Sequence, residues 1–121
     1  MNKLLAFAAI AEAATGMALM VVPSLVGRLL LGVELSGVAV AVARVAGIGL
    51  FSLGFACWPG KKSTRSALCA MTTYNLLVTL YLLYVGIRGE FVGLLLWPVA
   101  VMHTVLTFLL TRAWFQAQQQ D

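Results

Sequence analysis

Apolar residues run through this chain in four long blocks, with polar and helix-breaking residues gathered in the short stretches between them. The first block runs from Leu4 to Val22 and stops at Pro23. The second spans about Ser36 to Trp58 and stops at Pro59-Gly60. The third covers about Ser66 to Ile87 and ends at Arg88-Gly89-Glu90. The fourth runs from Phe91 to about Arg112, ahead of the polar tail Gln116 to Asp121. At about 1.5 Å per residue, each block can cross a hydrocarbon core of about 30 Å. Lipid forces backbone groups to bond within their own segment, so these blocks are predicted to be helices; none alternates as a barrel strand would. The loop from Pro23 to Leu35 carries an apolar stripe, Leu25, Val26, Leu29 and Leu30, beside Arg28 and Glu34. That stripe predicts a short interfacial or re-entrant helix, or an extension of a flanking span. The predicted fold is all-α, an integral membrane four-helix bundle made of one domain over residues 1–121, with spans at about 4–22, 36–58, 66–87 and 91–112.

Composition agrees and narrows the class. Hydrophobic residues make up 62% of the chain and charged ones 10%, against about 25% charged in soluble domains. That balance excludes a soluble domain and a disordered chain, and two cysteines cannot form a disulfide framework. With four spans, the N-terminus, the Gly60–Arg65 loop and the C-terminus share a side carrying Lys3, Lys61, Lys62, Arg65 and Arg112. The other side carries Arg28 and Arg88, each near a Glu. The positive-inside rule then predicts a multi-pass protein with both termini in the cytoplasm. The net charge of +4 follows from this asymmetry beside anionic lipid, so no nucleic-acid partner is expected. Lys3, the short apolar stretch after it and Ala11-Glu12-Ala13 loosely resemble a signal peptide. A Glu beside the cut and an apolar run continuing to Val22 favour a retained first span instead.

An ionisable group inside a span costs about 2.5–3.5 kcal/mol on insertion scales, so each one invites an explanation. Three occur: Glu12 in the first span, Arg44 in the second and His103 in the fourth. The third span adds Tyr74 and Asn75 near its middle. Counting the rise from the span boundaries puts all of these in one layer or a turn from it. Glu12 and Arg44 are the natural ion pair, because consecutive antiparallel spans are neighbours and Arg offers a carboxylate a bidentate fork. Such a pair either locks two helices or lines a pocket in which Arg44 holds an acidic or carbonyl-bearing ligand while Glu12 or His103 exchanges a proton. His103 has Thr104, Thr107 and Thr111 nearby on its helix and reads first as a packed, hydrogen-bonded histidine. Haem is disfavoured: with a single His in the chain, bis-His ligation would need two copies. The candidate ligand-binding residues are thus Glu12, Arg44, Tyr74, Asn75 and His103; no catalytic or metal-ligating set is expected.

Span three also shows Tyr74, Leu77, Tyr81, Tyr84 and Arg88 at helical spacing, with Thr72, Asn75 and Thr79 beside them. Tyr84 and Arg88 suit an interfacial belt, while Tyr74 and Tyr81 are expected to face protein. Ala39, Ala43 and Gly47 in span two, and Ala9 and Ala13 in span one, mark close helix packing; Gly49 and Gly54 soften span two. Pro98 is expected to kink span four near Trp97. Cys57 and Cys69 read as packed thiols rather than a redox pair.

Gly16 through Pro23 closing the first helix, and Ala43-Arg44-Val45-Ala46-Gly47-Ile48-Gly49-Leu50 in the second, resemble the small four-helix bacterial membrane proteins of the DoxX-like families, over roughly the first half of the chain. The resemblance implies a quinone-adjacent role, as in quinone-dependent sulfur oxidation or small membrane redox complexes, and a part for Arg44. The expected function is a small non-catalytic inner-membrane subunit or binding module. It would hold a lipid- or quinone-like ligand, or a partner helix, at the intramembrane polar layer. The alternative is a small oligomeric transporter or channel using Glu12, Arg44, Asn75 and His103. A redox enzyme is a third class, short of residues to hold a cofactor. Expected partners are the lipid bilayer and either further copies of the chain or a larger membrane complex.

Overall fold

The computed structural model describes residues 2–60 and 64–119; Lys61, Lys62, Gln120 and Asp121 lie outside the described residues. Five helices follow in order: α1 Asn2–Val21, α2 Pro23–Leu31, α3 Val38–Ala56, α4 Thr64–Arg88 and α5 Leu96–Gln119. No strand occurs among the described residues. Four of the five, all but α2, are long and apolar enough to cross a bilayer, as the blocks predicted. At 1.5 Å per residue α1 and α3 are about 30 Å long, the thickness of a hydrocarbon core, while α4 and α5 are longer, at about 36 Å.

The helices assemble as two antiparallel pairs, α1 with α3 and α4 with α5, and α1 also touches both members of the second pair. Small residues decide the first pairing. A Cβ built on Gly16 would lie 2.5 Å from the Gly47 carbonyl oxygen, and one on Gly47 would lie 2.6 Å from that of Gly16. Gly54 meets the Ala9 backbone equally closely. The buried seam of α3 is therefore Ala43, Gly47 and Gly54, whereas Ala39 of the expected stripe is exposed. α3 sits on the outside of the bundle. Its outward face, including Val38, Val42, Val45, Ile48 and Phe55, is exposed and apolar, as a lipid-facing surface is.

Two apolar cores lie at opposite ends. Leu5, Ala8, Cys57, Leu68, Leu110 and Ala113 form one, at the end that carries Lys3, Arg65 and Arg112. There the Arg65 guanidinium donates to the Ala117 carbonyl at 3.3 Å. Cys57 is buried in this core and Cys69 is exposed, both as free thiols. Leu82, Val85, Leu96 and Ala100 form the second core, with Leu30 and Leu31 of α2 packed on it.

The loop between the first two spans does fold as a separate short helix. Pro23 occupies the first turn of α2, where its missing N–H breaks no bond, and Gly32 ends the helix in the left-handed region at φ 75°. The fourth span starts later than the apolar pattern predicts, at Leu96 rather than Phe91. Gly89 turns the chain at φ 74°, and the next stretch bonds to α2 instead of continuing a helix. The Gly93 N–H donates to the Leu30 carbonyl at 3.0 Å and the Leu95 N–H to the Leu29 carbonyl at 2.7 Å. Pro98 consequently falls in the first turn of α5, where it helps begin a helix; the kink expected near Trp97 has no broken bond to cause it.

Candidate functional site

Between the two apolar cores lies the polar layer, and all the buried polar residues of the chain among those described belong to it: Glu12, Asn75, Thr79 and His103. Glu12 continues the α1 stripe of Leu5 and Ala8 by one turn, so the packing that buries those two also buries the carboxyl group, which is 1% exposed. Asn75 and Thr79 are one turn apart on α4 and face His103 and Thr107, one turn apart on α5.

Hydrogen bonds fix the orientation of the ring. The Asn75 side-chain N–H donates to the Met71 carbonyl at 2.9 Å, which leaves Asn75 Oδ1 as the acceptor facing His103. His103 Nδ1 lies 2.7 Å from that oxygen and must carry the proton, so Nε2 presents its lone pair. Nε2 has no hydrogen-bond partner among the described residues. Thr107 donates to the His103 carbonyl at 2.7 Å and faces the Thr79 hydroxyl at 3.4 Å. Glu12 Oε1 stands 3.8 Å from His103 Nδ1 and is fully buried without a hydrogen bond. The Tyr74 hydroxyl lies close to the Glu12 carboxyl group, and its ring meets His103 edge-on at a centroid distance of 6.2 Å. Thus α1, α4 and α5 converge on one cluster.

Above this cluster, toward α2, lies a cavity of about 470 Å³. Its floor is Tyr74 and His103; its walls are apolar, from Leu19 of α1, Val78 and Leu82 of α4, and Val99 and Met102 of α5. Leu25, Val26, Leu29 and Leu30 of α2 close the far end, so the apolar stripe of the loop faces the chamber. The exposed members of the lining, Thr15, Val22, Leu25 and Leu95, mark where the chamber opens. A larger depression of about 550 Å³, between α1 and α3, is lined by residues such as Ile10, Phe51 and Phe55, with no ionisable side chain among the described residues.

Of the five residues singled out from the sequence, four come together and one does not. Glu12, Tyr74, Asn75 and His103 form the cluster; Arg44 is exposed on the outer flank of α3, with no ion pair or hydrogen bond among the described residues. The expected Glu12–Arg44 pair does not form, for two reasons. Ala43 faces α1, and one residue further along turns Arg44 by 100° out of the seam. The register set by Gly16 and Gly47 also places Arg44 beyond the level of Leu19 and Met20, about 10 Å along the axis from Glu12. Arg44→Leu should therefore leave the thermal midpoint within about 2 °C of wild type or raise it, whereas breaking a buried pair would cost about 3–5 kcal/mol.

Tyr81 is a second correction: it is 63% exposed, beside the equally outward Tyr84, because α5 packs on the Asn75–Thr79–Leu82 face of α4. Arg88 pairs with Glu90 at 3.1 Å on the surface. The sequence pattern did not point to Thr15 or to the chamber walls; Thr15 stands one turn from Glu12, a spacing that could have drawn it in. Comparisons with protein-family models, with curated proteins and with solved structures found no match to this chain.

Proposed function

We propose that this protein is a small non-catalytic binding module of the bacterial inner membrane, with both termini cytoplasmic. In this reading it holds a lipid- or quinone-like ligand in the chamber, the polar head resting on Tyr74 and His103. The observation that carries the proposal is the chamber itself: an apolar cavity of about 470 Å³ ending on a polar floor built from separate helices. Small-molecule sites combine such a volume, of about 300–1,000 Å³, with a few convergent polar groups. The unpartnered Glu12 oxygen behind the floor supports it, since a buried polar atom without a partner costs about 1–3 kcal/mol, a cost that a functional site gives a reason to keep. Lys3, Arg65 and Arg112 at one end support the cytoplasmic placement of that end. The same reading includes assembly in the bilayer as a homo-oligomer or as a subunit of a larger complex.

Filling the chamber tests the reading. Val78 lines the cavity and is half-buried, so Val78→Trp places an indole where the ligand's apolar body would lie. The variant should remain monodisperse with a midpoint within a few degrees of wild type. The lipophile recovered by solvent extraction per mole of purified protein should fall about tenfold. Equal recovery from both proteins would count against the chamber as the site.

A further inference from the structure

The chemistry of the floor says more about the ligand than its shape does, and any selectivity of that floor rests on the chamber being a binding site. Two of the three polar side chains that face the chamber, Thr15 and His103, have already spent their donors inside the protein. Thr15 donates its hydroxyl proton to the Ala11 carbonyl at 2.8 Å. The third, the Tyr74 hydroxyl, lies against the buried Glu12 carboxyl group, away from any other charge. His103 gives its Nδ1 proton to Asn75, and Asn75 is held in that sense by its own bond to Met71. What His103 offers toward the cavity is the lone pair of Nε2, the strongest acceptor on the floor.

Among the described residues, no Lys, Arg, Asp or Glu lines the chamber. Arg44, the cation expected to hold an acidic or carbonyl head, is exposed on the far flank of α3. A carboxylate or phosphate would enter without a counter-charge, and a carbonyl placed on His103 would set acceptor against acceptor, leaving two unsatisfied groups in an apolar cavity.

We infer that the chamber selects a lipophile whose head is an uncharged hydrogen-bond donor, an alcohol or phenol hydroxyl that donates to Nε2 of His103. Among quinone-like molecules this is the hydroxyl-bearing reduced form rather than the carbonyl-bearing oxidised one. The floor acts as a selectivity filter: it rejects a head of the same size that cannot donate.

Matched probes test this on the unmodified full chain in lipid nanodiscs. His103 is the single histidine, so isotope-labelled histidine gives ring-nitrogen resonances from one residue alone. The probes are para-decylphenol, its O-methyl ether, and decanoate. The phenol should bind about fivefold to tenfold more tightly than the ether and shift Nε2 while leaving Nδ1 in place; decanoate should bind no better than the ether. An ether that matches the phenol, or a preference for decanoate, overturns the donor inference while the chamber stands as a binding site. Absence of any ring-nitrogen response to all three probes overturns both.

Discussion

Gly16→Leu should separate α1 from α3 and abolish the stable bundle. A Cβ at this position would lie 2.5 Å from both the Gly47 carbonyl oxygen and the Phe51 nitrogen, which are backbone atoms and cannot move aside by changing rotamer. The two helices would have to part along the seam that Gly47 and Gly54 complete from the other side. Overpacking costs about 1–3 kcal/mol where side chains can yield, and here none can. The expected loss is at least about 3 kcal/mol, read as a fall of about 10 °C or more in the thermal midpoint and as aggregation on size exclusion. Gly49 provides the control, since nothing lies within 4 Å of its Cβ position. Gly49→Leu should unfold within about 2 °C of wild type. If both substitutions were equally tolerated, the α1–α3 seam would be wrong.

Asn75→Leu should destabilise the polar layer by about 1–3 kcal/mol, the cost of stranding a buried donor. The His103 Nδ1 proton loses its acceptor at 2.7 Å, and the nearest remaining oxygen, Glu12 Oε1, stands 3.8 Å away. If the ring turns toward Glu12, Nε2 no longer points into the chamber and ligand retention falls with it. Adding His103→Phe to Asn75→Leu should recover part of the loss, because both halves of the bond are then apolar. Thr79→Val removes only a 3.4 Å hydroxyl contact and should cost less than about 1 kcal/mol. Thermal midpoints of the single and double variants measure the coupling. Simple additivity of Asn75→Leu and His103→Phe would mean that the two side chains act independently.

The polar layer was legible in the sequence because a helix converts residue number to depth at a constant rise. Glu12, Tyr74, Asn75 and His103 fall at one level once the apolar boundaries are set. Burial then selects Glu12, Asn75 and His103 from these, with Tyr74 half-buried beside them and Thr79 added one turn from Asn75. Depth alone does not give the face, and Arg44 shows the difference. Charge made it the obvious partner for Glu12, yet its neighbour Ala43 occupies the seam and turns it outward. The same ambiguity moved Tyr81 to the surface. Nothing in the tyrosine spacing says that α5 will pack on the adjacent Asn75–Thr79 stripe.

Residues 23–35 illustrate a limit of another kind. The Leu25–Leu30 stripe predicts a short amphipathic helix, and α2 forms. Whether its apolar face meets headgroups or a cavity depends on the bonds from Gly93 and Leu95 to Leu30 and Leu29, which join segments more than sixty residues apart. The late start of α5 comes from those same bonds. Periodicity shows which residues are apolar, and long-range backbone pairing decides what they cover.

Native mass spectrometry of the full chain, released from its membrane in mild detergent without delipidation, tests the central claim most directly. The expected result is one reproducible added mass on wild type and on Arg44→Leu, lost from Val78→Trp. A chain carrying only a broad distribution of phospholipids, or a defined adduct that survives Val78→Trp, would contradict the chamber above Tyr74 and His103 as the place where this protein holds its ligand.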